Sequence, residues 1–217
     1  MLSKQFLIKR KQCCGNGCLM CPYIPKHTKG SYKIMNRMGY ACINMQLSSQ
    51  KPKIYTGRSM IKRTFKDKGI KYASELGLQN TKDLFEIIKW NKENGFDFFR
   101  ITSNLFPWCS EYKLEDMPDH WEIAGILGEI GKYVDEHKIR LTSHPGPFNV
   151  LTSPHEHVVE NCINDLSTHG EVFDMMGLSR TPYNKINIHI GGAYGDKVSA
   201  MERFCENFNR LPNSVKS

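Results

Sequence analysis

Residues 185–197, KINIHIGGAYGDK, decide how the rest of the chain is read. Ile186, Ile188 and Ile190 alternate with Asn187 and His189 through a short β-prone run. Gly191, Gly192 and Gly195 then stop it, and a helical pattern begins near Lys197. His189 is therefore expected near the C-terminal end of a strand, the edge where parallel α/β folds place their sites. The glycine turn offers backbone N–H groups and feeds a helix N-terminus, which suits a phosphate. A core histidine followed by an ordinary glycine turn is the alternative, since histidine is only moderately buried on average.

The same alternation of strand and helix runs back through the chain. Residues 37–44, RMGYACIN, read as a first strand, and the polar, poorly periodic segment 51–72 as an ordered loop that contacts something. A helix is expected over 80–95, with Asn80 as N-cap, Asp83 at its positive end and Leu84, Ile87, Ile88 and Asn91 on one face. A second strand follows at 96–102, then a loop over 104–117 rich in aromatics and prolines. The next helix, 119–137, carries Ile123, Ile126, Leu127, Ile130 and Val134 as its stripe. A third strand over 138–143 ends in His144-Pro145-Gly146-Pro147-Phe148. Ser153, Pro154 and Glu156 then read as the capping box of another helix, and a final helix runs near 197–209. Four βα units imply an α/β fold with a parallel sheet and right-handed crossovers, about half of a (β/α)8 TIM barrel. A half barrel leaves open strand edges and an uncovered inner face, so the chain is expected to be the front part of something longer.

The 217 residues are 40% hydrophobic and 24% charged, as in a globular chain with a sizeable core. No apolar run reaches the ~18 residues needed to span a bilayer, and the start lacks the apolar stretch of an export signal. An intracellular protein with reduced thiols and no membrane partner is expected. The net charge of +8 is concentrated. Residues 1–36 hold seven bases and no acid, and residues 51–72 hold eight bases against Asp67 alone. Two such segments favour a polyanion, nucleic acid first, over a merely solvated lysine face.

Residues 1–36 read as a separate small module before a domain over 37–217. Within CCGNGCLMCPY, Cys13, Cys14, Cys18 and Cys21 crowd one loop in which Gly15 and Gly17 ease the turn. The spacing supplies three thiolates, with the second of the Cys13–Cys14 pair or His27 as a fourth ligand, for zinc or an iron–sulfur cluster. So short a segment has little core, and a metal would supply its folding energy. A basic tail with reactive thiols is the alternative.

The strands end at Asn44, Asn104, His144 and His189, two amides and two imidazoles on one rim. Imidazole nitrogens there suit Mn, Fe or Zn. A carboxylate to balance such a cation is missing from the rim, with Asp196 one turn beyond it the nearest candidate.

RMGYACIN, FRITSNLFPWCS, the HPG of 144–146 and HIGGAYGDK resemble, in order and spacing, the UV damage endonucleases. The resemblance covers about 37–211. It implies a TIM barrel that uses a divalent-metal cluster, typically manganese, to hydrolyse the backbone of UV-damaged double-stranded DNA on the 5′ side of a lesion. By that resemblance His144 and His189 are metal ligands, with Asn104 where some members carry a ligand histidine. Tyr40 and Asn44 touch the damaged nucleotides, and Arg58 and Lys197 contact phosphates. Phe148 is the wedge at the position after Pro147, where members usually carry Gln-Tyr. Further Glu, His and Asp ligands of the family come from later strands, so this chain is expected to need a missing C-terminal part or a second chain for a complete site and to be inactive alone. A metal-dependent barrel sugar isomerase and a non-catalytic DNA- or metal-binding remnant are the rival readings.

Overall fold

A computed structural model describes residues 37–216 and, before them, residues 9, 13–15, 21, 23, 29 and 30. The chain divides into two compact units, Met1–Met38 and Gly39–Ser217.

In the larger unit three strands form one parallel sheet in the order β1 (Gly39–Ala41), β2 (Phe98–Ile101), β3 (Arg140–Ser143). Tyr40 pairs with Phe99 and Phe99 with Leu141. Parallel neighbours need crossovers. The short helix α1 (Met45–Ser48) and the long α2 (Lys62–Glu93) join β1 to β2, and α3 (His120–Glu136) joins β2 to β3. After β3 come α4 (Glu156–Met175) and α5 (Lys197–Arg210). Because side chains alternate along a strand, Tyr40, Phe99, Ile101 and Leu141 share one face. That face is covered by Leu84, Ile87 and Ile88 of α2 and by Ile123, Leu127, Ile130 and Val134 of α3. Each such aliphatic side chain contributes about 1.5–3 kcal/mol on burial. The expected stripes of both helices are thus the ones that meet the sheet. The α3 helix meets the end of α4 so closely that a Cβ on Gly131 would lie 1.6 Å from the Met176 carbonyl oxygen. Among the described residues, no helix is long and apolar enough to cross a membrane.

Several local expectations are corrected. The basic segment 51–72 is not a loop throughout, because α2 begins at Lys62. Its early turns bear exposed Lys62, Arg63, Lys66, Lys68 and Lys71, which mask the apolar period. At Gly69 the backbone leaves helical angles (φ 63°, ψ −161°), so α2 is two helical pieces across a kink. Asn80 is consequently no cap but a buried mid-helix residue, whose amide donates to the carbonyls of Arg58 (3.0 Å) and Leu105 (3.0 Å). The expected capping box of α4 does not form. Its N-cap is His155, whose N–H donates to Ser153 Oγ, and Glu156 turns to Arg210 instead. The run 185–190 is not a full strand either: only Ile186 bridges to Ser143. A strand needs a ladder of partners, and among the described residues none lies along its other side.

Candidate functional site

All three strands are parallel, so the segments following β1, β2 and β3 leave the sheet at one edge. His144 directly follows β3 there. The bridge at Ser143, with Ser143 N–H donating to Lys185 O (3.1 Å) and Asn187 N–H to Ser143 O (2.9 Å), brings the 185–189 segment alongside. His144 Nε2 and His189 Nε2 then lie 2.9 Å apart, with ring centroids at 4.6 Å. Beyond His189 the chain turns at Gly191 (φ 104°), where a Cβ would come within 2.6 Å of both Thr152 Oγ1 and Val150 Cγ1. Glycine is required at that point by space and by dihedral angle.

Two imidazole nitrogens bound at about 2.1 Å to one cation, at right angles, stand about 3.0 Å apart. The observed 2.9 Å separation therefore fits two adjacent ligands of one ion. A third group modifies that picture. Arg100, on the sheet face opposite Phe99, has Nη1 3.0 Å from His144 Nδ1. A guanidinium only donates, so Nδ1 of neutral His144 accepts and its proton sits on Nε2, from which it donates to His189. Burial, then the positive Arg100, then His189 hold the His144 pKa below its usual value. Binding through Nε2 would need that proton to move and Arg100 to release Nδ1. Arg100 was not foreseen, although a charged residue between Phe99 and Ile101 of a strand was a visible signal.

Behind the histidines lies a buried polar chain that the sequence did not announce. Ser143 Oγ lies 2.8 Å from His169 Nδ1 on α4. Asp165, one turn earlier on α4, accepts from Cys109 Sγ (3.0 Å) and from Asn149 Nδ2 (2.6 Å). Burial and the neighbouring Asp165 push the Cys109 thiol well above its usual range. Asp165 thereby ties the loop after β2 to the loop after β3. Phe148 stands at the tip of the latter, 90% exposed. It shares with Asn104, itself exposed, the wall of an open cavity of about 320 Å³. The structure brings Asn104 together with Phe148, while the imidazole pair is His144 with His189.

The remaining expected contacts are placed differently. Tyr40 lies on the helix-covered face, edge-on to Phe96 and Phe99, and its hydroxyl donates to Asn91. Asn44 is buried, donates to the Tyr40 hydroxyl (2.7 Å) and caps α1 by accepting from Leu47 N–H. Arg58 forms a 2.8 Å ion pair with Asp83, donates to Tyr55 O and stacks over the Tyr55 ring. Each of the three thus has partners within the fold. Lys197 is exposed at the start of α5. The N–H groups of Val198 and Ser199 there are already taken by the Asp196 carboxylate, which occupies the place an external phosphate would use. Of the exposed bases of early α2, Lys62 sits 5.6 Å over the Trp108 ring in the loop after β2, and Trp108 Nε1–H donates to Met60 O. In the small unit Cys13 and Cys21 are buried and Cys14 is half-buried, while Cys18 lies outside the described residues.

Residues 36–217 match the family described as UV-endonuclease UvdE, and residues 1–29 match a family of unknown function, DUF5522. The UV-damage endonuclease of Schizosaccharomyces pombe is 37% identical over 188 residues, which are 83% of this chain and 30% of that protein. The UV DNA damage endonuclease of Clostridium perfringens is 33% identical over 181 residues, covering 83% of this chain and 41% of the relative. A solved structure titled "Crystal Structure of SacUVDE" superposes with a TM-score of 0.69 at 31% identity, covering 82% of this chain and 57% of that one. The chain thus spans between about a third and just over half of these relatives' lengths.

Proposed function

Because the chain belongs to the UV-endonuclease UvdE family, we propose that it forms the leading part of a TIM-barrel DNA-repair endonuclease that cuts the backbone 5′ to UV lesions with divalent metal, typically manganese. The observation that carries this reading is the 2.9 Å approach of the His144 and His189 Nε2 atoms at the C-terminal edge of a parallel sheet. His144 and His189 would hold the cation, with Asn104 on the same rim. A divalent cation held there supplies positive charge to a phosphodiester oxygen and acidity to a bound water.

The chain's other residues bind and orient. Lys62, Arg63, Lys66, Lys68 and Lys71 stand exposed on early α2 and suit the phosphate backbone. Lys197 adds a further exposed base. Phe148 projects from its loop and suits insertion at a base step already weakened by damage, where unstacking costs least. Pro147 beside it has no N–H to donate, so the wedge acts by shape. The sugar-isomerase alternative is not favoured, since the relatives carry endonuclease names.

Two imidazoles are too few ligands for a hydrolytic metal centre, and among the described residues no group of three or more His, Cys, Asp or Glu gathers round one point. A barrel also needs eight strands, against the three of the sheet. We therefore infer that the 217 residues bind DNA but do not cut it unaided. The test is nicking of UV-irradiated and untreated supercoiled plasmid with Mn²⁺, by the 217 residues and by a fusion carrying the remaining length of a relative. Nicking of irradiated plasmid by the fusion alone is expected. Cutting by the 217 residues would overturn the incompleteness, and an inert but folded fusion would overturn the endonuclease reading.

A further inference from the structure

The small N-terminal unit holds a feature that backbone cleavage does not use. Cys13 and Cys21 are 4% and 6% exposed and pack with Tyr23 as a buried cluster. Their sulfurs lie 3.6 Å apart. A disulfide would bring them to about 2.05 Å. Four sulfurs placed tetrahedrally at about 2.3 Å from one zinc ion lie about 3.8 Å from one another, close to the observed spacing.

Cys13 is anchored through its backbone: its N–H donates to Gly30 O (2.7 Å) and Gly30 N–H to Cys13 O (3.1 Å). Gly15 has φ 79° and Gly30 φ 137°, conformations that glycine adopts readily. Packing alone could bring two thiols into contact, but thiols are weak donors and acceptors and gain little from meeting. A further observation favours a cation. The unit spans only Met1–Met38, a size at which a chain needs a staple because its apolar core is too small.

We propose that Cys13 and Cys21 are two thiolate ligands of a structural site for one zinc-class divalent cation. Among the described residues no third His, Cys, Asp or Glu completes a group with them. The inference rests on the Cys13–Cys21 pair, and Cys14, Cys18 and His27 are separate variants in the test. The site is independent of the histidine pair and of the endonuclease reading.

The experiment is metal analysis of the full chain, isolated without chelator, followed by Co²⁺ exchange. About one equivalent of Zn²⁺ is expected, with a thiolate-to-cobalt charge-transfer band and the visible bands of tetrahedral cobalt after exchange. Cys13→Ser and Cys21→Ser should each lower zinc retention at least tenfold while the melting of the larger unit stays unchanged. The double variant His144→Ala/His189→Ala should keep its zinc, which separates this site from the proposed catalytic one. Loss of the charge-transfer band in Cys14→Ser, Cys18→Ser or His27→Ala, with the C13S effect intact, supports the site by identifying a further ligand. A metal-free chain, zinc retained in the double variant Cys13→Ser/Cys21→Ser, an iron–sulfur chromophore, or a Cys13–Cys21 disulfide by mass would each overturn the proposal.

Discussion

Ser143 and His169 are joined side chain to side chain, Oγ to Nδ1 at 2.8 Å, inside the protein. Burial holds His169 neutral by lowering its pKa below the usual 6.5, with Asp165 acting in the opposite direction. The unfolded chain therefore takes up a proton that the folded chain resists. This contribution to stability is complete above pH 6.5 and is lost progressively as pH falls from that value to the lower pKa of the folded state. The urea midpoint should decline between pH 7 and pH 5, and His169→Gln should flatten the decline. His169→Ala, which leaves Ser143 without this partner, should cost about 1–3 kcal/mol.

Arg100 opposes a cation at the histidine pair, because its guanidinium lies 3.0 Å from His144 Nδ1 and is positive. Arg100→Gln should raise the affinity for Mn²⁺ or Ni²⁺ several-fold in calorimetric titration. An unchanged or weaker affinity would mean that Arg100 supports the site rather than restrains it.

Arg58 and Asp83 form an ion pair whose side chains are 18% and 8% exposed. Removing one partner of a largely buried pair leaves the other uncompensated, so Asp83→Ala should destabilise by about 3 kcal/mol. If Arg58 serves the scaffold, Arg58→Ala should lower the melting temperature more than it lowers DNA affinity at fixed salt. The reverse outcome would return Arg58 to the phosphate-binding set.

Among the described residues no carboxylate pairs with Lys66, Lys68 or Lys71, which stand exposed on α2. Affinity for duplex DNA should fall steeply with salt. The triple variant Lys66→Gln/Lys68→Gln/Lys71→Gln should flatten the log–log slope by about 0.9 for each phosphate that is no longer neutralised. Fluorescence anisotropy across a salt series measures this directly.

The thiols of the larger unit should separate by reactivity. Cys205 is exposed, whereas burial pushes Cys109 well above its usual pKa and Cys162 up to about 12, each helped by Asp165. At pH 8 iodoacetamide should label Cys205 and leave Cys109 and Cys162 intact until denaturant is added. Mass spectrometry of the digest gives the answer.

The periodic parts of the structure were legible. Leu84, Ile87 and Ile88 on α2, and Ile123, Leu127, Ile130 and Val134 on α3, could be read as stripes because helical spacing and burial repeat together. The meeting of His144 and His189 followed from both lying past parallel segments at one edge. What escaped depends on partners far apart in sequence. Nothing local to Arg58 shows the Asp83 carboxylate that pairs with it. Asn80 looked like a cap because nothing local shows the Arg58 and Leu105 carbonyls it satisfies. The Gly69 break and the exposed lysines around it hid the first turns of α2. His169 and Asp165 sat unnoticed on a helix face whose apolar neighbours explained it well enough.

Among the described residues, the segment carrying His189 is paired backbone to backbone with β3 by two hydrogen bonds at Ser143, with Arg140 of β3 reaching the carbonyls of Pro182 and Tyr183 before it. Since successive side chains in extended chain alternate in direction, a slip of one residue would send the His189 ring to the far side. The length of the connection over 177–184 is thus a hidden gauge. Removing a single residue there would disable the histidine pair as surely as replacing it, without altering any side chain that touches metal or DNA.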